Sequence, residues 1–238
     1  MKLVSELNIK IFADGADKAQ ILRFKANPLI KGFTTNPTLM RAAGVTDYEI
    51  FARDILGIVE NLPISFEVFA DDFAEMERQA RKIAGWAENV YVKIPITTTR
   101  GESAMGLAAR LARSGVKVNV TAVLTLDQVK HAADAVGGGA PSVISVFAGR
   151  IADTGRDPVP LMAEAMKSLE PYPNIELLWA SPRELLNIFQ ANDVGCHIIT
   201  ATDGVLAKLT TVGKDLVEYS LETVQMFYND AARSGYRL

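Results

Sequence analysis

The chain has 238 residues, 49% hydrophobic and 22% charged, a composition that excludes an intrinsically disordered polypeptide. One cysteine cannot pair within the chain, and a formal charge of −3 from 25 basic and 28 acidic residues lacks the basic excess of a nucleic-acid binder. No segment reaches the roughly 20 apolar residues that span a bilayer, and Met1-Lys2-Leu3-Val4-Ser5-Glu6 meets charge before any apolar signal core, so a reducing, cytoplasmic setting is expected.

Short strand-like apolar runs alternate with longer stretches of helical period. Lys10 to Ala13 precedes a helix from Asp17 to about Ala26, and Ile30 to Phe33 precedes one from Asp47 to about Asn61. Ile64 to Phe69 leads to a helix opened by Asp71-Asp72, both read as caps rather than Mg²⁺ ligands. Val90 to Ile94, Val116 to Val120 and Val143 to Phe147 follow, with helices at Ser103–Arg113, Leu126–Val136 and Pro158–Leu169. Ile175 to Trp179 is followed by a short helix from Pro182, and His197 to Thr200 is the eighth strand. The last helix, from about Asp215 to Arg233, aligns Val217, Leu221, Val224 and Tyr228 in one apolar stripe, suited either to its own barrel or to a neighbouring subunit.

Eight strand–helix pairs with no Pro-, Gly- or Ser-rich linker read as parallel βαβ units in one domain spanning 1–238. The count of eight, and the lack of a Gly-x-Gly-x-x-Gly turn after the first strand, favour an α/β fold of the (β/α)8 TIM-barrel type over an open dinucleotide-binding sheet. Chemistry is then expected at the C-terminal ends of the strands.

Barrel strands are buried on both faces, so their polar residues are informative. In Val90-Tyr91-Val92-Lys93-Ile94-Pro95, alternation sets Lys93 and Tyr91 opposite Val90, Val92 and Ile94, and therefore inside the barrel. Burial there favours the uncharged amine, which attacks carbonyls to form a Schiff base; the bland alternative is a lysine that pairs with a buried carboxylate. Asp14 follows the first strand and Glu67 lies in the third, carboxylates suited to acid/base work near the amine. Asn119 with Thr121, and Ser145 with Phe147, are two apart and share a face toward the mouth. Arg150 and Arg156 follow the sixth strand, and Ser181 and Arg183 follow the seventh, where Arg forks and a hydroxyl suit a phosphate.

Gly32-Phe33-Thr34-Thr35-Asn36-Pro37-Thr38-Leu39 resembles the first signature of the transaldolase family, and Val90 to Pro95 is similar to the segment that carries its Schiff-base lysine. Phe12-Ala13-Asp14, Asn119-Val120-Thr121, Ser145 to Ile151 and Trp179-Ala180-Ser181-Pro182-Arg183 fall in family order and spacing. The resemblance implies a cofactor-free, metal-free class I mechanism on sugar phosphates. Lys93 would form the imine, Asp14 take the proton from the C4 hydroxyl, and Glu67 and Thr121 hold a catalytic water. Asn36 and Asn119 would position the dihydroxyacetone unit, with Ser145 beside it, and Ser181, Arg150 and Arg183 would grip the phosphate. A related branch, the fructose-6-phosphate aldolases, carries Tyr at the position of Phe147 and Gln at that of Glu67, so both positions here follow the transferase pattern. Gly15 after Asp14 and Pro182 between Ser181 and Arg183 depart from the commoner family sequence. The resemblance further implies a homo-oligomer, a pentamer or decamer.

Cys196 and His197 are neighbours on a strand and point to opposite faces, so a core thiol is expected rather than a thiol–imidazole pair. Two histidines with no metal-ligand spacing, His131 and His197, speak against a zinc site. Gly137-Gly138-Gly139 joins a helix back to a strand and is read as a turn on the opposite end of the barrel from the chemistry.

Overall fold

Eight parallel strands close on themselves in chain order in a computed structural model that describes residues 2–237. The chain runs through β1 (Lys10–Asp14), α1 (Lys18–Lys25), β2 (Ile30–Thr34), α2 (Pro37–Ala42), α3 (Tyr48–Val59), β3 (Ile64–Glu67) and α4 (Phe73–Ala84). It continues through β4 (Val90–Pro95), α5 (Met105–Arg113), β5 (Val118–Val123), α6 (Leu126–Val136), β6 (Ser142–Val146), α7 (Ala148–Ala152) and α8 (Val159–Leu169). β7 (Ile175–Trp179), α9 (Leu186–Asp193), β8 (Ile198–Ala201), α10 (Asp203–Leu206) and α11 (Leu216–Ser234) complete it. β8 returns to β1 through the register Lys10↔Ile198 to Ala13↔Ala201, and the (β/α)8 barrel is closed.

Helix starts are set by side chains that satisfy donors the helix leaves open. Asp17, Asn36, Asp47 and Asp72 each accept from the backbone N–H three residues on, and Thr125 and Gln128 cap reciprocally. Asp71 does not cap; its carboxylate accepts from the Thr99 amide and hydroxyl and anchors the loop after β4. α2, α7 and α10 were not expected, because four to six residues are too few to display a helical period. The helix after β7 begins at Leu186 rather than Pro182. The Arg183 and Glu184 amides donate instead to Asn187 Oδ1, so Ser181 is no helix cap. It stands in the left-handed region, φ +58°.

The outward strand residues Val90, Val92 and Ile94 are buried under the helix layer, as the alternation requires. Inside the barrel, two cavities are stacked along the axis, and on seven strands their linings are related by a step of two residues. Phe12, Ser65, Tyr91, Asn119, Val143, Leu178 and Ile198 face the lower one, of about 120 Å³; Asp14, Glu67, Lys93, Thr121, Ser145, Ala180 and Thr200 face the upper one. On β2 the lower position is Gly32, where a Cβ would overlap the Phe12 ring, so only glycine admits that ring to the interior.

α11 has no buried residue. Leu216, Leu221, Val224, Phe227 and Tyr228 are all exposed along it. Cys196 is buried with its thiol pushed up to about 12 by that burial, and it is a core residue. Gly137-Gly138-Gly139 turns from α6 into β6 beneath Tyr172 and Ala112, away from the strand C-termini.

Candidate active site

A cavity of about 490 Å³ opens at the C-terminal ends of the strands, and nine of the twelve site residues singled out in the sequence line it. Lys93 lies on its floor, 7% exposed. Its Nζ donates to the Thr35 carbonyl at 2.9 Å and stands 2.9 Å from Glu67 Oε2. The amine faces inward as the alternation demanded, but it meets a carboxylate rather than apolar walls alone. The register Glu67↔Lys93 between β3 and β4 produces that pairing directly, because neighbouring residues of adjacent parallel strands share a face.

Asp14 ends β1, and burial holds its carboxyl above the usual carboxylate range. The Thr34 hydroxyl and the Lys93 ammonium oppose that shift by favouring the charged form, and the Glu67 carboxylate adds to it. Thr34 Oγ1 donates to Asp14 Oδ1 at 2.7 Å and lies 2.6 Å from Thr200 Oγ1. A chain of hydroxyls from β8 through β2 thus orients the carboxylate. Thr34 and Thr200 were not singled out in the sequence, although both are polar at strand ends, two residues beyond Gly32 and Ile198; the rule that marked Thr121 marks them too.

Thr121 Oγ1 is buried and has no hydrogen-bond partner among the described residues. Ala122 after it adopts φ +62°, a left-handed conformation that turns the chain at the cavity wall. Asn36 reaches the cavity from the start of α2, with its Oδ1 engaged by the Leu39 amide.

Asn119 is the first residue that does not reach the mouth. Alternation sends it inward one layer below Thr121, where it is fully buried. Its amide donates to Ser65 Oγ at 3.0 Å and accepts from Ser145 Oγ at 2.7 Å, so it ties β5 to β3 and β6 within the barrel and braces Ser145 from beneath. Arg183 is the second. Its guanidinium forms a two-pronged pair with Asp153, Nε donating to Oδ1 at 2.8 Å and an Nη to Oδ2. Arg150 and Ser181 do line the cavity, and Arg150 lies over the Phe147 ring, 4.9 Å from its centroid. Arg156 bonds Thr154 at the surface.

A buried amine between two carboxylates, ringed by hydroxyls with an arginine at the rim, suits an electrophilic carbonyl compound that bears an anionic group. Against known proteins, residues 11–237 match the model of the family described as transaldolase/fructose-6-phosphate aldolase. The chain belongs to this family. Relatives described as probable transaldolases include one from Methanococcus maripaludis, 37% identical over 202 residues (84% of this chain and 89% of that protein). Another, from Streptococcus agalactiae, is 34% identical over 216 residues, 90% of this chain and 95% of its own. Among solved structures, a 2,3-dimethylmalate lyase of the PEP mutase/isocitrate lyase superfamily superposes with a TM-score of 0.56 over 98% of this chain and 94% of its own, at 14% identity. That likeness concerns the barrel alone. The family match covers all the residues of the cavity, and no helix among the described residues is long and apolar enough to cross a membrane.

Proposed function

We propose that the protein is a transaldolase that moves a dihydroxyacetone unit from a ketose phosphate (sedoheptulose 7-phosphate or fructose 6-phosphate) to an aldose phosphate. What carries this reading is the Lys93 amine, buried on the cavity floor within 2.9 Å of a carboxylate that can take its proton. Glu67 accepts that proton, and the free amine adds to the ketose carbonyl. Glu67 then returns the proton through a water as the carbinolamine loses its hydroxyl, which leaves a protonated imine. The unpartnered Thr121 hydroxyl suits the second anchor of such a water. Asp14 removes the C4 hydroxyl proton; the C3–C4 bond breaks, its electron pair passes into the imine to give an enamine, and the aldose departs. An incoming aldehyde reverses these steps, with Asp14 giving its proton to the new hydroxyl and water releasing the ketose from Lys93.

Asn36 and Ser145 are placed to hold the three-carbon unit, and Asn119 serves it through Ser145. Arg150 and Ser181 are the phosphate ligands the cavity presents; Arg183 joins them only if Asp153 releases it. No step calls on a metal or cofactor. The lone buried cysteine agrees with a reducing, cytoplasmic setting. The exposed apolar stripe of α11 supports a homo-oligomer.

The second reading is a fructose-6-phosphate aldolase that exchanges free dihydroxyacetone, since the family description names both activities. Phe147 favours the transferase. A phenyl ring in the cavity wall has no hydroxyl with which to orient a water toward the enamine, so the bound unit waits for an aldehyde. The test is to incubate with fructose 6-phosphate, reduce with borohydride and map the adduct by mass. An adduct on the Lys93 peptide, with product release dependent on acceptor aldehyde, is expected. An unmodified Lys93 peptide would defeat both enzymatic readings and leave a sugar-phosphate-binding barrel.

A further inference from the structure

We infer that Tyr48 is a positioning residue for Glu67, standing in for a strand that the barrel lacks at that point; the inference rests on the role proposed for Glu67. β2 and β3 pair at only two positions, Phe33↔Ile64 and Thr34↔Ser65. The Thr35 amide makes one more bond, to the Ser65 carbonyl, and then the chain turns away at Asn36 to start α2. In a parallel strand, the peptide groups of alternate residues face the same neighbour. Phe66 pairs with Val92 of β4 and the Val68 amide donates to the Lys93 carbonyl, so Ser65 and Glu67 direct their main-chain groups toward β2. At Glu67 there is no β2 left to receive them.

Tyr48 fills that place. Its hydroxyl accepts from the Glu67 amide at 2.8 Å and donates to the Glu67 carbonyl at 2.9 Å, the two bonds that a neighbouring strand would have supplied. Burial pushes the phenol up, which keeps the proton needed for the second bond. The ring is fixed by edge contacts to Phe66 (centroids 6.1 Å apart, 81° between planes) and Phe69 (4.4 Å, 77°), with Trp86 tilted against it at 5.8 Å. These aromatics come from β3, the segment after it and the turn that follows α4. The carboxylate that meets Lys93 is therefore aimed by a main chain pinned from outside the barrel, by a residue in the first turn of α3 that lies outside the upper cavity.

Tyr48→Phe keeps the ring and removes both bonds. In the full-length protein, with fructose 6-phosphate as donor and erythrose 4-phosphate as acceptor, kcat should fall by about tenfold or more while KM for the donor stays within about twofold, because misplacement of a proton-transfer group slows chemistry more than binding. Wild-type kcat in Tyr48→Phe overturns the inference. So does a loss of kcat that merely follows a loss of folded protein, as measured by circular dichroism and by titration of competent sites with borohydride. If the variant does not fold, hydrogen exchange in the wild type decides: the Glu67 amide should be protected like that of a paired strand residue, and exchange as fast as in an open loop overturns the inference. Absence of a Lys93 adduct in the wild type would defeat the proposed function itself, a separate outcome from an active wild type matched by an equally active Tyr48→Phe.

Discussion

Gly149 stands so close to Ser181 that a Cβ on it would overlap the Ser181 carbonyl oxygen, and its own amide bonds the Ala180 carbonyl at 3.3 Å. The missing side chain lets α7, with Arg150, lie against the left-handed turn at Ser181. Gly149→Ala must push the two apart. KM for a phosphorylated donor should rise by about tenfold, in steady-state kinetics, with a lowered Tm from overpacking, which typically costs about 1–3 kcal/mol. An unchanged KM would show that Arg150 and Ser181 do not share a phosphate.

Asp14 illustrates a conflict between stability and chemistry. Burial raises its carboxyl, so the fold disfavours the ionised form relative to the unfolded chain, and that deficit lessens as pH falls through the raised folded value. Asp14→Asn should raise Tm by about 2 °C or more and lower turnover by a factor of about 10² or more. The wild-type kcat/KM profile should have an acidic limb above the ordinary aspartate range. A drop in Tm for the variant at pH 7 would contradict this account.

His197 Nδ1 accepts the Leu177 amide at 3.0 Å, and burial lowers its tendency to take up a proton. Because the folded value lies below the unfolded one of about 6.5, the unfolded chain binds the proton first. Stability is therefore full above that pH and declines as the pH drops beneath it. Thermal melts between pH 8 and 5 should show the decline, and His197→Gln, which retains an acceptor without titrating, should flatten it.

The exposed residues of α11 give a prediction about assembly. Replacing Leu221 and Phe227 (57% and 62% exposed) together by Glu should leave the barrel's circular dichroism unchanged and reduce the particle mass seen by sedimentation or light scattering. A monomeric wild type would remove the basis for this.

Replacing Thr200 by Val should act on Asp14 at one remove. The Thr34 hydroxyl keeps its bond to the carboxylate but loses its partner 2.6 Å away on β8. A fall in kcat of about three- to tenfold with little change in donor KM is expected from stopped-time product assays, as for a group that orients rather than binds. A change in KM alone would place Thr200 in direct contact with the sugar.

The barrel itself was legible because its signal is local. Each strand and each of the longer helices carries its own apolar period, and their alternation leaves few topologies open. Lys93 could be sent inward by the same arithmetic, since Val90, Val92 and Ile94 occupy the other face. What alternation does not supply is depth. Asn119 and Thr121 share a face, yet the two-residue step along β5 places one beneath the mouth and the other in its wall. Nor does it supply partners that come from far along the chain. Lys93 with Glu67 and Arg183 with Asp153 are contacts across 26 and 30 positions, created when neighbouring βα units pack side by side, and Thr34 with Thr200, across 166, forms only when the ring closes. Tyr48 shows the limit most clearly: in sequence it is one more aromatic residue at a helix start, and only the early departure of β2 turns its hydroxyl into the support of a carboxylate.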